Sequence, residues 1–318
     1  MLPAVIMTLI GFVVLMIGAE FTVKGSVALA NKLNVPAMII GLTVVAFGTS
    51  LPEFAVSVRA VMEEAGGLVL GTVVGANIAN VLLILGFTAM VSPFRCNVAA
   101  ISRDYKFLMF VVILFMLLAW SGEITQSEGL FLLFLLFIYI VYNYRNAKLQ
   151  DSDFDDSGSE QIRSWFTIII FGIIGVMGIR YGSDWLIEGA VAIAEECEVS
   201  HEIIGLTLIA FGTSLPELAT SVMASLRGHA DVAIGNIIGS NIMNILLVTG
   251  FAATSDGLEI PPQFLSFDMW VMFMASASIL PVIYRSHRVS RLDGLTYFFG
   301  YVVYMLVQGL IASGNVNI

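Results

Sequence analysis

Glu53 and Glu217 close the same hexapeptide, GTSLPE, at positions 48–53 and 212–217 of an otherwise strongly apolar sequence. Each carboxylate has hydroxyls just before it, Thr49 and Ser50 in one copy and Thr213 and Ser214 in the other. Carboxylate, hydroxyl and carbonyl oxygens are hard ligands suited to Na+ or Ca2+. Pro52 cannot donate to the carbonyl of Gly48, nor Pro216 to that of Gly212, so a helix through either motif should kink or break there. Carbonyls freed at membrane depth are tolerated where they are buried in protein or line a watery cavity. A carboxylate in a bilayer costs about 2.5–3.5 kcal/mol on insertion scales. Two of them brought together repel unless a proton or cation lies between. Thr49 precedes Glu53, and Thr213 precedes Glu217, by one helical turn, so each pair shares a face.

A second pair of motifs adds amides: GANIAN at 75–80 and GSNIMN at 239–244. Asn80 follows Ala76 by four residues and Asn244 follows Ser240 by four, which gives Asn80, Asn244 and Ser240 a site-lining face. Asn77 and Asn241 sit about a quarter turn off it. Gly75 and Gly239 are read as close-packing positions between helices.

These motifs need elements to hold them. The chain has 318 residues, 58% hydrophobic and 12% charged, with mean hydropathy +0.93, far from a soluble domain's roughly 25% charge. Apolar runs of membrane-spanning length are expected near 2–30, 36–61, 67–91, 104–121, 127–146, 164–194, 201–226, 231–253, 266–284 and 292–312. The first is read as a retained helix, because no basic segment precedes it and no cleavage pattern follows. Sorting the connections alternately puts Lys32, Arg95, Arg103, Lys106, Arg145, Lys148, Arg163, Arg227, Arg285, Arg288 and Arg291 on one side and only Arg59 on the other. The positive-inside bias makes the first side cytoplasmic and both termini extracytoplasmic.

The fold expected is therefore all-α and integral to the membrane, with about ten helices. GLTVVAFGTSLPE from Gly41 and GLTLIAFGTSLPE from Gly205 agree at 11 of 13 positions, and every motif match shares an offset of 164 residues. Five helices per repeat is an odd number, so the halves, 1–146 and 164–318, should be inverted relative to each other, with a midplane site between them. The acidic segment 147–163 joins them as a cytoplasmic linker. Its DSDFDD lacks the glycine and final glutamate of an EF-hand loop, having Asp156 and Ile162 there.

The net charge of -10 and scattered basic residues exclude a nucleic-acid patch. Cys96 and Cys197 fall on opposite faces, so no disulfide is expected. Glu20 with Lys24, and Arg180 with Asp184, have i, i+4 spacing for structural pairs. Asp268 reads as a helix N-terminal or interfacial charge. His201, His229 and His287 have no partners at metal-ligand spacing.

At GTSLPE, GANIAN and GSNIMN the sequence resembles the Ca2+/cation antiporter superfamily, specifically its sodium/calcium exchanger branch with two alpha repeats, over nearly its whole length. The resemblance implies Ca2+ binding by Glu53 and Glu217 with the carbonyls of Thr49 and Thr213. It also implies flanking Na+ sites using Thr49, Thr213, Ser50, Ser214, Ser240 and the carbonyls of Ala46 and Ala210. Ala76 stands where relatives often carry serine, and Asn244 where K+-dependent relatives carry aspartate, which speaks against K+ cotransport. The chain resembles the short prokaryotic exchangers, which implies a prokaryotic inner (plasma) membrane, a functional monomer, and bound Na+ and Ca2+ as transported ions rather than cofactors. The reading is alternating-access Na+/Ca2+ antiport. A proton-coupled antiporter of the same fold is its alternative, and a cation channel and an intramembrane carboxylate-dyad hydrolase are disfavoured, so the chain is not expected to be an enzyme.

Overall fold

The computed structural model describes residues 2–63, 65–95, 98–147, 164–197 and 212–312. Helix α1 (Leu2–Leu33) leads into α2 (Ala37–Thr49), which breaks at Ser50 and continues as α3 (Leu51–Met62) at 45°. Ser50 leaves the helical region (φ -83°, ψ 4°), and Pro52 sits in the first turn of α3, as the missing proline N–H demands. Helix α4 (Gly66–Val91) follows, then strand β1 (Phe94–Arg95), α5 (Val98–Ala119), β2 (Glu123–Ile124) and α6 (Gln126–Ala147). The second half holds α7 (Trp165–Glu196), α8 (Leu215–Leu226), α9 (Ala230–Asp256), β3 (Leu258–Glu259), α10 (Phe264–Ser286, opening with a π-helical turn Phe264–Asp268), β4 (Arg288–Val289) and α11 (Arg291–Ala312).

Among the described residues, seven helices are long and apolar enough to span a bilayer, or eight when α2 and α3 count as one bent span. The expected span 104–121 starts earlier in the structure: α5 begins at Val98 and so takes in Arg103 as well. Arg103 and Asp104 can lie inside the helix because they pair with each other at 3.1 Å. The linker 147–163 lies essentially outside the described residues, as do His201, Ala210 and Cys96.

Element boundaries recur at an offset of 164 or 165 residues: α3 and α8 are both 12 residues long, and α4 and α9 both switch to a π-helical turn at their asparagine, Asn80–Leu85 and Asn244–Thr249. The strands repeat too. β1 pairs antiparallel with β4 (Phe94↔Val289, Arg95↔Arg288), and β2 with β3 (Ile124↔Leu258, Glu123↔Glu259). Helix α5 runs from the first ribbon to the second and α10 from the second to the first, so the two helices are antiparallel. Twenty-two residues of α5 put the ribbons about 33 Å apart, a hydrocarbon thickness.

Helices α4 and α9 form the centre, α9 with 94% of its apolar window buried, whereas α11 has 11% and lies on the periphery. Their residues Val73, Ile78, Ile84, Ile234, Ile238 and Ile245 build the main core with Leu108 and Phe115 of α5 and Met272 and Ile279 of α10. Helices α1 and α7 cross this centre as an antiparallel pair in backbone contact. A Cβ on Gly11 would lie 2.4 Å from Leu186 N, one on Gly18 2.4 Å from Ile179 N, and one on Gly182 2.3 Å from Leu15 N. Small residues let helices approach this closely in a membrane, where packing rather than hydrophobicity drives association.

Candidate cation-binding site

Both glutamates sit in the first turn of a helix with proline at its start, Glu53 on α3, which follows the break at Ser50, and Glu217 on α8. Helix N-termini favour negative charge because their N–H groups and dipole point at it. Each side chain is 1% exposed, so neither is a surface charge. Ser50 and Ser214 occupy the N-cap positions without capping through their side chains. Instead, Ser50 Oγ donates across the repeat boundary to Glu217 Oε1 at 3.2 Å. The hydroxyls of Thr49 and Ser240 face the same carboxylate, and these two lie 3.5 Å apart. Ser214 is buried and Thr213 partly buried beside the second break.

The amides close the site from α4 and α9. Asn80 Nδ2 donates to Asn241 Oδ1 at 3.0 Å, a contact between halves. Asn77 Nδ2 turns to Met272 Sδ at 3.6 Å. All four asparagines, Asn77, Asn80, Asn241 and Asn244, are buried, with Asn80 and Asn244 opening the π-helical turns and Asn77 and Asn241 in the regular helix just before them. The Ala46 carbonyl is engaged locally, accepting from Ser50 N–H at 3.0 Å and Thr49 Oγ1 at 3.4 Å.

Asn236 was not singled out by sequence, yet it stands inside the site. Its Oδ1 accepts from Thr49 Oγ1 at 3.1 Å, and its Nδ2 donates to Ser221 Oγ at 3.1 Å. The i, i+4 spacing of Asn236 to Ser240 and of Glu217 to Ser221 was the available signal. The counterpart of Asn236 in the first half is Thr72, which is only partly buried and, among the described residues, bonds to its own helix at Leu68 O. The site is thus asymmetric, with Asn236 and Ser240 on one side and Thr72 and Ala76 on the other.

Several buried oxygens here have no hydrogen-bond donor among the described residues: Glu53 Oε2, Glu217 Oε2, Ser57 Oγ, Asn77 Oδ1 and Asn244 Oδ1. A buried polar atom without a partner is costly. Converging oxygens of this kind, two of them anionic, are a donor set for a hard cation. A cavity lined by Thr22, Ser26, Val45, Gly48, Thr49 and Ile179 reaches the site between α1, α2 and α7.

Other charges fall outside it. Glu20 pairs with Lys24 at 2.9 Å and also with Arg227, and Arg180 pairs with Asp184 at 3.0 Å, as their spacing suggested. Asp268 lies near the N-terminus of α10, where its π-helical opening turn ends, and it is 2% exposed and accepts from Tyr304 Oη at 3.0 Å, so it is packed against α11 and not free at the surface.

Comparison with known proteins agrees with this arrangement. The profile of the family described as "Sodium/calcium exchanger protein" matches residues 3–145 and 166–310. The chain is 33% identical to the sodium/calcium exchanger MaX1 of Methanosarcina acetivorans, over 94% of this chain and 96% of that one. It is 34% identical to the inner membrane protein YrbG of Escherichia coli, over 96% of both. The solved structure of the sodium-calcium exchanger NCX_Mj soaked with zero Na+ and Ca2+ superposes with a TM-score of 0.83 at 28% identity, covering 96% of this chain and 98% of that one. With the repeated helix N-termini and their paired carboxylates, these matches establish that the chain belongs to the sodium/calcium exchanger protein family.

Proposed function

We propose that this protein is a secondary antiporter that exchanges Na+ for Ca2+ across a cell membrane by alternating access. The observation that carries the reading is the convergence of two duplicated helix N-termini, each with a proline and a glutamate in its first turn, on one buried oxygen cluster, in which Ser50 of one repeat bonds Glu217 of the other at 3.2 Å. Glu53 and Glu217 supply the two negative charges that a divalent ion neutralises, with Thr49, Thr213 and Asn80, Asn244 around them. Thr49, Ser50, Thr213, Ser214 and Ser240, with the carbonyls of Ala46 and Ala210, offer neutral oxygens to Na+. Competition of the two ions for shared oxygens couples their movements, since the halves rearrange only when the carboxylates are neutralised.

The fold assigned to this function has ten spans, counting α2 with α3, α5, and the segment ending in α8 alongside the seven apolar helices. Its halves, 1–146 and 164–318 with the linker 147–163 between them, are inverted repeats. Antiparallel α5 and α10, and ribbons β1–β4 and β2–β3 of matching register, support inversion. The ribbon bearing Arg95 and Arg288 belongs on the cytoplasmic side and the one bearing Glu123 and Glu259 outside. Both termini are then extracytoplasmic, and since both alpha repeats lie in one chain, a monomer suffices.

The test is 45Ca2+ uptake into proteoliposomes loaded with NaCl, with choline chloride, or with an acidic Na+-free interior. Uptake should require internal Na+. Uptake driven by the proton gradient alone would replace Na+ by H+ as the counter-ion, and unsaturable flux down a Ca2+ gradient would make the protein a channel.

A further inference from the structure

The two halves repeat a second polar constellation that the central site does not use. In the first half, Asp104 of α5 is buried against α6. Tyr139 Oη donates to Asp104 Oδ1 at 3.3 Å, while Arg103 Nη2 bridges Asp104 Oδ2 at 3.1 Å and Asn143 Oδ1 at 3.0 Å. Anion, guanidinium, phenol and amide are thus linked, with the guanidinium neutralising the carboxylate.

In the second half Asp268, Tyr304 and Gln308 occupy the corresponding places, at offsets of 164, 165 and 165 residues. Tyr304 Oη donates to Asp268 Oδ1 at 3.0 Å, Gln308 Nε2 donates to the same oxygen, and Gln308 Nε2 also reaches Tyr304 Oη at 3.2 Å. The cation is what differs. Phe267 stands at the position of Arg103 and stacks on Tyr304, 6.3 Å between centroids at 14°. Among the described residues no basic side chain reaches Asp268, and neither Asp268 Oδ2 nor Gln308 Oε1 receives a hydrogen bond. These two oxygens match those that Arg103 bridges in the other half.

A buried carboxylate in a membrane-spanning segment is retained only where something neutralises it. We propose that Asp268, Tyr304 and Gln308 form a binding site for a monovalent inorganic cation, Na+ or K+, held between Asp268 Oδ2 and Gln308 Oε1 where the other half holds a guanidinium. One carboxylate balances one positive charge, whereas Ca2+ calls for more oxygens and more negative charge than this set provides. Gln308 lies one turn before the end of α11 and is half-buried, so the site opens at the membrane face of ribbon β2–β3. The bound ion ties α10 to α11 as Arg103 ties α5 to α6.

The experiment is thermal unfolding of purified Glu53→Gln/Glu217→Gln protein, which lacks the central charges, in choline chloride, NaCl and KCl at constant ionic strength. NaCl or KCl should raise Tm by about 2 °C or more relative to choline. Asp268→Asn should erase that response. Phe267→Arg should erase it too, while raising Tm in choline, because it restores the guanidinium; should that variant fail to fold, the isosteric Asp268→Asn decides. An alkali-ion response that persists unchanged in Asp268→Asn places the ion elsewhere and overturns the proposal. So does stabilisation by added phosphatidylethanolamine but not by salt, which would identify a lipid ammonium as the occupant, or a Tm that follows pH and ignores Na+ and K+.

Discussion

Glu53 and Glu217 each leave Oε2 without a donor in a region sealed from solvent, so the two side chains are arranged for a positive guest more than for each other. Replacing either by glutamine keeps shape and removes one charge. Loss of one buried charge partner costs about 3 kcal/mol, roughly 100-fold in ion affinity. Glu53→Gln and Glu217→Gln should each abolish Na+-dependent 45Ca2+ uptake while the protein still inserts and elutes as a monodisperse species. Retained exchange in both variants would refute the site. Asn236 gives a sharper residue-level test, because its repeat partner Thr72 bonds to its own helix and not to the site. Asn236→Ala should raise the Ca2+ KM by about tenfold through lost support of Thr49 and Glu217, and Thr72→Ala should leave it unchanged. Glu53, Glu217 and their hydroxyls were legible in the sequence because ionisable residues in apolar runs stand out. Asn236 was not, since one asparagine in a small-residue helix reads equally well as packing.

Two kinds of helix carry the site. The bent pair α2–α3 and helix α8 present carboxylates at N-termini, and the proline in the first turn of α3 and of α8 was visible in the sequence. The long helices α1 and α7 supply a close backbone seam instead. Adding a methyl at Gly18 would place it 2.4 Å from Ile179 N, against nothing within 4 Å at Gly75. A clash with backbone cannot be relieved by a rotamer change. Gly18→Ala should lower Tm by several degrees and reduce the yield of folded protein, whereas Gly75→Ala should be silent, as thermal unfolding of the purified variants will show. The start of α5 was placed six residues late by sequence, at 104 instead of Val98, because Arg103 and its neighbours look like a loop. Only contact with Tyr139 and Asn143 of α6 makes a helical course acceptable there.

At the scale of the molecule, the two ribbons mark the two faces. Their central cross-strand pairs have opposite character, Arg95 with Arg288 on one and Glu123 with Glu259 on the other. In right-side-out vesicles of a Cys-less background, Glu123→Cys should react with a membrane-impermeant maleimide, and Arg95→Cys should react only after permeabilisation. Reaction of both from outside would break the inverted topology, and reversed accessibility would invert the orientation.

The sequence by itself determined the membrane class, the repeat, the helix break at Ser50 and the matched positions of the two glutamates, because each follows from local composition or from self-similarity at a fixed offset. The tertiary structure alone decided which oxygens meet: Ser50 with Glu217, Asn80 with Asn241, Asn236 with Thr49, and Asp268 with Tyr304. Each of these contacts joins different helices, and its geometry depends on how π-helical turns and glycine seams set the rotation and spacing of those helices, a property that no single segment contains.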